Sequence, residues 1–381
     1  MSSTYKVPLT TIKEIKPHGN ADRLEIVYVY GWEVVAAKGQ YKIGDVAFYV
    51  PIDSILDQGL ENFLFPPDSK IKLDKHRVRQ IKIRGVASQG MLINPQTLID
   101  AGLFKGDLIL EDDYAEVLGI TKYDPPAPKE HTGTGLPAPK KRKLENPEFK
   151  KYGGLDNYKW YPDLFQEGEL VVIEEKIHGS HVRCGMAPVQ VDTWWKKVKK
   201  FFGFLPTHEW VYGSNNVQLQ TKAKNKFTGY YDTNIYCEVL EKYNIQSKLQ
   251  PGEYLHGEVY GSGVQKNYHY DCSEGERRLC IFDVRVTDPV TGVQRYLDPD
   301  ERFHWLGTRG LGSLGVPNLY WGEWRGVDHA KTLTIGNSVM APGQKVMEGV
   351  VIRNVDYSDG RKILKLISED YLADSTNTDH H

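Results

Sequence analysis

Short alternating or uniformly apolar runs, separated by turn-forming clusters, fill the first 118 residues. They fall at Leu9 to Ile15, Leu24 to Tyr30, Trp32 to Ala37, Asp45 to Val50, Val78 to Ile83, Gly90 to Ile93 and Asp107 to Leu110. Pro17-His18-Gly19-Asn20, Lys38-Gly39, Ile43-Gly44-Asp45 and Lys105-Gly106-Asp107 punctuate them. This spacing predicts an all-β domain of five or so strands over 1–118. Residues 119–150 break the pattern with prolines at 125, 126, 128, 137 and 139 and the run Lys140-Lys141-Arg142-Lys143. That composition predicts an extended linker whose basic run is solvated, with a localisation signal or phosphate contact as alternatives. A second domain, 151–375, mixes periods. Strands are expected at 170–175, 181–185, 210–214, 254–259, 279–286, 348–353 and 363–367, and helices from Thr233 to Tyr243 and from Asp298 to Leu306. The fold class is therefore α+β, with an all-β barrel first.

Composition changes this picture little. The 381 residues exceed one ordinary core, which agrees with two domains. A net charge of −2 leaves no global basic field, so a nucleic-acid surface must be a local patch. Two patches qualify. The stretch from Lys70 to Arg84, including Lys82 and Arg84, lines cations along a strand; a barrel of OB-fold size commonly holds phosphates this way, although a solvated face also fits. Trp194-Trp195-Lys196-Lys197-Val198-Lys199-Lys200-Phe201-Phe202 either stacks on bases and holds phosphates through Lys196 and Lys197, or forms an amphipathic helix that covers the domain with lysines outward. The four cysteines lack metal-site spacing, which suits a reducing cytosol. The N-terminus lacks a signal-like core and no run approaches a membrane span, so a cytoplasmic protein without a membrane partner is expected.

One run concentrates candidate chemistry: Glu174-Glu175-Lys176-Ile177-His178-Gly179-Ser180 follows the apolar Leu170 to Ile173. It reads as a buried strand, a turn carrying one lysine, and a return strand. Partial burial favours the nucleophilic free amine, and Gly179 lets backbone approach what the amine attacks. Alone, this could equally be a snorkelling lysine beside a turn glycine. Four later strands bring partners: HGEVYG with Glu258, IFDV with Phe282, EGVVIR with Glu348, and ILKLIS with Lys365. A single charge on an apolar strand is usually an edge residue or half of a buried ion pair.

Taken in order, KIHG, HGEVYG, IFDV, EGVVIR and ILKLIS resemble the motifs of the covalent nucleotidyltransferase superfamily of ATP-dependent polynucleotide ligases and capping enzymes. Histidine in KIHG points to RNA ligases. PHGNADRLEI and GDVAFYVP resemble tRNA-binding OB domains. The order of domains, with PHGNADRLEI and RGVASQG, resembles the Deinococcus-type RNA ligases, which seal template-directed nicks. Ser368 lies thirteen residues before the last residue given, so the OB domain that other ligases carry after the fifth motif is not expected here.

The resemblance implies a lysine–AMP intermediate on Lys176, transfer of AMP to a 5′-phosphate, and closure by a 3′-hydroxyl. A lysine amine titrates near 10.4 in water, so attack needs desolvation and nearby cations, here Lys365 and a divalent metal. ATP and Mg²⁺, with Mn²⁺ as an alternative, are the implied cofactors. Glu175 would read adenine through its carbonyl, Phe282 would stack on the purine, and Glu258 would hold the ribose. Glu348 and Glu258 would take the metal, Lys365 the α-phosphate, and Ile177, His178 and Gly179 would shape the phosphate environment. Three positions depart from the family. Ile367 replaces a lysine, so one cation is missing from the α-phosphate site or Arg361 or Lys362 supplies it. His181 replaces an asparagine. Asn215 replaces an arginine, for which Arg183 is the substitute contact. The expected partner is nicked duplex RNA or an RNA/DNA hybrid, met by a monomer. A DNA ligase, a capping-type guanylyltransferase, and an RNA-binding protein with a degenerate transferase domain stay open as alternatives.

Overall fold

The computed structural model describes residues 5–69, 72–123, 145–219 and 233–373, without the side chain of Lys200. The basic run at 140–143 lies outside them. Two compact units emerge. The smaller comprises 1–126 with 159–161 and 372–381, and the larger comprises 127–158 with 162–371.

In the smaller unit, β1 (Leu9–Thr11) pairs with β5 (Val46–Val50), which pairs with β9 (Met91–Ile93). The meander β2 (Glu14–Pro17), β3 (Leu24–Val29) and β4 (Trp32–Ala37) forms a second sheet. β6 (Ser54–Ile55) pairs with β10 (Thr121–Lys122), and β7 (Ile81–Ile83) makes a hairpin with β8 (Val86–Ser88). Alternation along β5 splits its side chains between two cores: Phe48 and Val50 pack with Leu9, Leu98 and Phe104, while Ala47 and Tyr49 pack with Ile12, Val27 and Trp32. The strand expected over Asp107 to Leu110 is absent. There the Tyr114 hydroxyl takes the Ile109 N–H and donates toward the Asp107 and Ile109 carbonyls, so a side chain replaces a ladder partner. Leu108, Ile109 and Leu110 stay exposed.

In the larger unit, β11 (Asp156–Asn157), β12 (Leu170–Lys176), β19 (Asn318–Glu323), β20 (Gly349–Asn354) and β21 (Ile363–Ile367) form one sheet in the order β11-β21-β20-β12-β19. A six-stranded sheet runs β15-β14-β13-β16-β17-β18, built from β13 (Ser180–Pro188), β14 (His208–Ser214), β15 (Gln218–Leu219), β16 (Glu253–Gly261), β17 (Arg277–Thr287) and β18 (Gln294–Tyr296). Each sheet buries one apolar face. Val171, Ile173, Val350, Ile352, Leu364 and Leu366 pack with Phe165 and Trp324. Val182, Cys184, Leu255, Val259 and Ile281 pack under α4 (Ile235–Lys242) and α5 (Pro299–Thr308). Both helices lie where their patterns put them; Asn234 caps α4, and an Asp298–Glu301 capping box opens α5. Among the described residues no helix is long and apolar enough to cross a membrane.

The other faces carry charge. Glu174 on β12 pairs with Arg302 of α5 and, at 2.9 Å, with Arg353 of β20. Arg353 reaches Asp283 of β17 at 3.1 Å, and Asp283 also holds Arg361 at 2.5 Å and the Tyr152 hydroxyl at 2.6 Å. Burial pushes Asp283 up, yet Arg361 and Arg353 hold it below the usual carboxylate range. This chain of charges ties the five-stranded sheet to the six-stranded one. Removing a shared partner strands two buried carboxylates, so Arg353→Met is expected to destabilise by about 3–5 kcal/mol. Arg361→Met, at the partly exposed end, should cost less, and urea unfolding of both variants checks the order.

Candidate active site

Lys176 is the last residue of β12, opposite Gly349 of β20, and the chain leaves it to enter the other sheet at Ser180. The crossing is tight at Gly179, where a Cβ would run into the Val259 carbonyl and the Glu258 side chain. Glycine is required there for space, not for its backbone angle. The Lys176 amine lies 2.5 Å from Oε1 of Glu348, with its side chain 23% exposed. It is therefore turned toward a carboxylate and not toward bulk water. Oε2 of Glu348 is buried without a hydrogen-bond partner and has His178 Nδ1 at 3.6 Å. Burial raises Glu348, but Lys176 and His178 outweigh it and bring it down to about 2.

Glu258 comes from β16 of the facing sheet, opposite His181 and Cys280. Burial drives its pKa up to about 8; Lys176 opposes this, Glu348 adds to it, and the Gly179 amide opposes it. One acid is thus held ionised and the other neutral at the same amine. Lys365 sits in the row Glu174–Val351–Lys365, one pleat from the row Lys176–Gly349–Ile367, and paired residues share a face. The two lysines therefore project from one face of one sheet, with backbones roughly 12 Å apart. Ile367, where a second lysine was expected, is buried in the row of Lys176 itself. Neither proposed substitute reaches that place. Arg361 and Lys362 precede the opposite end of β21, where they hold Asp283 and Glu169.

Phe282 occupies a β-bulge: His256 pairs with Asp283 and Gly257 with Ile281, which leaves Phe282 unpaired. The bulge turns Phe282 and Asp283 to the same side. The Phe282 ring meets Tyr152 and His181 edge-on, at 5.2 and 5.1 Å, while Arg302 binds its carbonyl. Burial lowers His181 to about 3, so it lies neutral beside His256. Asn215 clamps the Tyr152 backbone from both sides, at 2.8 and 3.2 Å. Arg183 does not join the Lys176 group. It is fully buried, with its guanidinium 4.0 Å over Phe149 and bonded to the Phe149 and Ser214 carbonyls, so the expected nucleotide contact is replaced by a clamp on residues 145–149.

Glu175 points to the opposite face from Lys176 and accepts the Val339 and Met340 amides at 3.0 and 3.1 Å. Burial raises its pKa against those bonds. Ile177 is buried as well. A loop that the sequence reading passed over, 262–276, braces the turn. Gln265 donates to the Gly179 carbonyl at 2.7 Å, and the Tyr270 hydroxyl accepts the His178 amide at 2.7 Å. Tyr268 and Tyr371 pack edge-on against the His178 ring. Tyr270 and Asp271 hold left-handed backbone angles to do so. The run Tyr268-His269-Tyr270-Asp271 was the available signal.

In the smaller unit, Lys82 is exposed on β7, and Arg84 sits at the two-residue hairpin tip with φ +51, beside Gly85. His18 and Asn20, from the PHGNADRLEI run, bond the Ile83 and Arg84 carbonyls. In the larger unit, Lys196 is held by Asp192 and the Gln190 carbonyl, and Lys197 is exposed on α3 (Trp194–Phe201).

Glu258 carries a measurable signature. The unfolded chain ionises it near 4.5 and the fold near 8, so between these values the unfolded state binds fewer protons and stability falls as pH rises. Glu258→Gln should flatten that decline in melting curves from pH 5 to 8.

The RNA ligase family profile matches residues 169–367, and an OB-fold domain profile matches 7–95. No curated protein matches the chain. Among solved structures, a Naegleria gruberi RNA ligase mutant with AMP and manganese superposes with a TM-score of 0.68 at 23% identity, covering 96% of this chain and 97% of that one. A second mutant of that ligase, with ATP and manganese, gives 0.68 at 22%, covering 97% and 98%. The same ligase with pyrophosphate gives 0.67 at 22%, covering 96% and 97%. The fold is thus an N-terminal OB-fold domain followed by a ligase adenylation domain, and with more than half its length matched, this chain belongs to the RNA ligase family.

Proposed function

We propose that the chain is an ATP-dependent, template-directed ligase that joins a 3′-hydroxyl to a 5′-phosphate at a nick in duplex RNA or an RNA/DNA hybrid. The observation that carries this reading is the Lys176 amine 2.5 Å from Glu348, with Glu258 arriving from the facing sheet. In the first step the Lys176 Nζ lone pair attacks the α-phosphorus, the bond to the bridging oxygen breaks, and pyrophosphate leaves. The ion pair with Glu348 must open first, because a paired ammonium has no lone pair: one Nζ proton leaves to solvent before attack, and a second leaves as the phosphorus–nitrogen bond forms. AMP then passes to the 5′-phosphate, and a 3′-hydroxyl displaces it. Comparable ligase structures carry AMP or ATP with manganese, which agrees with this chemistry.

A divalent cation fits the acids present. Glu348 offers a buried oxygen without a hydrogen-bond partner, and Glu258, raised to about 8 by burial, would give up its proton to a cation held there. Among the described residues no group of three or more metal-ligating side chains occurs, and magnesium typically takes one or two carboxylates together with substrate phosphates. When bound, such a cation neutralises charge on phosphate oxygens. Lys365, projecting from the face of Lys176, is assigned to the α-phosphate, and Phe282, set out by its bulge, to the adenine face. The Glu175 carbonyl is assigned to the adenine amino group. Exposed Lys82 and Arg84 on the β7–β8 hairpin supply phosphate contacts from the first domain. The N-terminal position of that domain supports the Deinococcus-type assignment.

Sealing assays on a panel of nicked duplexes, with RNA or DNA set separately on each side of the break and on the template, test the reading. Wild type is expected to seal RNA-containing nicks in the presence of ATP and Mg²⁺, and the panel reads which strand must be RNA. Lys176→Ala should abolish sealing, and Glu348→Gln should lower it by at least about 100-fold. Equal activity of Lys176→Ala and wild type contradicts the reading.

A further inference from the structure

Between β13 and β14 the chain builds α3, whose apolar and charged positions are fully segregated. At about 100° per residue, Phe201, Trp194, Val198, Phe202 and Trp195 fall in one arc of roughly 120°. Positions 196, 197, 199 and 200, all lysine, occupy the remainder. The amphipathic pattern predicts an apolar side against the domain. In the structure the four aromatic rings of that side are exposed, and only Val198 is half-buried. Trp194 is 66% exposed, Trp195 68%, Phe201 84% and Phe202 62%, and Phe204 just beyond is 77% exposed. Among the described residues, none of them enters a core cluster. Lys196, by contrast, is turned back onto Asp192 and the Gln190 carbonyl.

We infer that α3 with Phe202 and Phe204 is an interfacial anchor that lays this enzyme on an anionic lipid bilayer. Segregation decides between occupants. A surface that binds single-stranded nucleic acid needs rings and cations on the same side, since bases and phosphates alternate along a strand. Here the rings occupy one side and the lysines the other, as an interface between an apolar and an aqueous phase requires. The aromatic choice fits as well, because Trp and Phe on one face with Lys on the other mark helices lying at the headgroup boundary. Lys197 and Lys199 flank the apolar arc, placed to meet acidic headgroups as the rings enter. If the substrate is the duplex proposed above, its stacked bases offer these rings no face. Position agrees: β13 carries the chain roughly 27 Å from the Lys176 turn, so a helix docked on lipid leaves the nucleotide end open. The inference departs from the expectation of no membrane partner, and under it Lys196 and Lys197 serve the lipid face and not nucleic acid.

Co-sedimentation of the full-length protein with phosphatidylcholine vesicles, with and without phosphatidylserine, tests the inference without using ligase activity. The protein should bind phosphatidylserine-containing vesicles about ten-fold or more tightly than neutral ones. Trp195→Ser with Phe201→Ser should lose that binding by at least about ten-fold while melting at the same temperature as wild type, since both rings lie outside the core. Absence of binding to either vesicle overturns the proposal. So does unchanged vesicle binding in the double variant. If the variant instead loses binding to a single-stranded RNA oligonucleotide, or only a concentration-dependent self-association in sedimentation, the face serves RNA or a second copy and the lipid assignment fails.

Discussion

A row of buried opposite charges, Arg302–Glu174–Arg353–Asp283–Arg361, fixes how the catalytic domain is assembled. Apolar packing accounts for the outer faces of both sheets, but it cannot set their mutual register, because apolar contacts are tolerant of sliding. Charges that must be paired at hydrogen-bonding distance are not tolerant. Glu174 stands two residues before Lys176, and Asp283 stands beside Phe282 on the bulge. The pairing that aligns the sheets therefore also aligns the amine, the second-sheet acid and the aromatic ring. Its worth lies in geometry more than in net stability, since buried ion pairs scarcely repay their desolvation.

The second constraint is the turn between the sheets. Lys176 through Gly179 must pass within contact of β16, and glycine, Gln265 and Tyr270 each serve that passage. The result sets two carboxylates in opposite states around one amine. Glu348 ionises because Lys176 and His178 outweigh its burial, while Glu258 stays neutral because burial and Glu348 outweigh the same lysine.

Much of this was legible in sequence. The strands carrying Lys176, Glu258, Phe282, Glu348 and Lys365 announce themselves as β-branched runs bounded by glycines, and each motif lies on or at the end of the strand expected for it. What escaped has common causes. The charged row was invisible because each member is a lone charge whose partner lies on another strand, often more than a hundred residues away. Arg183 was read toward the nucleotide as a substitute for the arginine that Asn215 replaces; only the packing of residues 145–149 shows its guanidinium engaged elsewhere. β19 was missed because Asn318 to Glu323 mixes polar and aromatic residues without clean alternation. The Asp107 to Leu110 run has a strand's composition, yet one tyrosine hydroxyl takes over its backbone. For α3 an amphipathic helix was one of two readings, and its orientation was not legible, because amphipathicity states that two faces differ and not which one meets water.

Peptide mapping by mass spectrometry after incubation of the protein with ATP and a divalent cation, with no nucleic acid present, tests the central claim most directly. The account predicts a single adenylyl group on the side chain of Lys176, labile in acid and stable in base as a phosphorus–nitrogen bond should be. An adenylyl group on any other residue, or an unmodified Lys176 in a preparation that still seals strands, would contradict it.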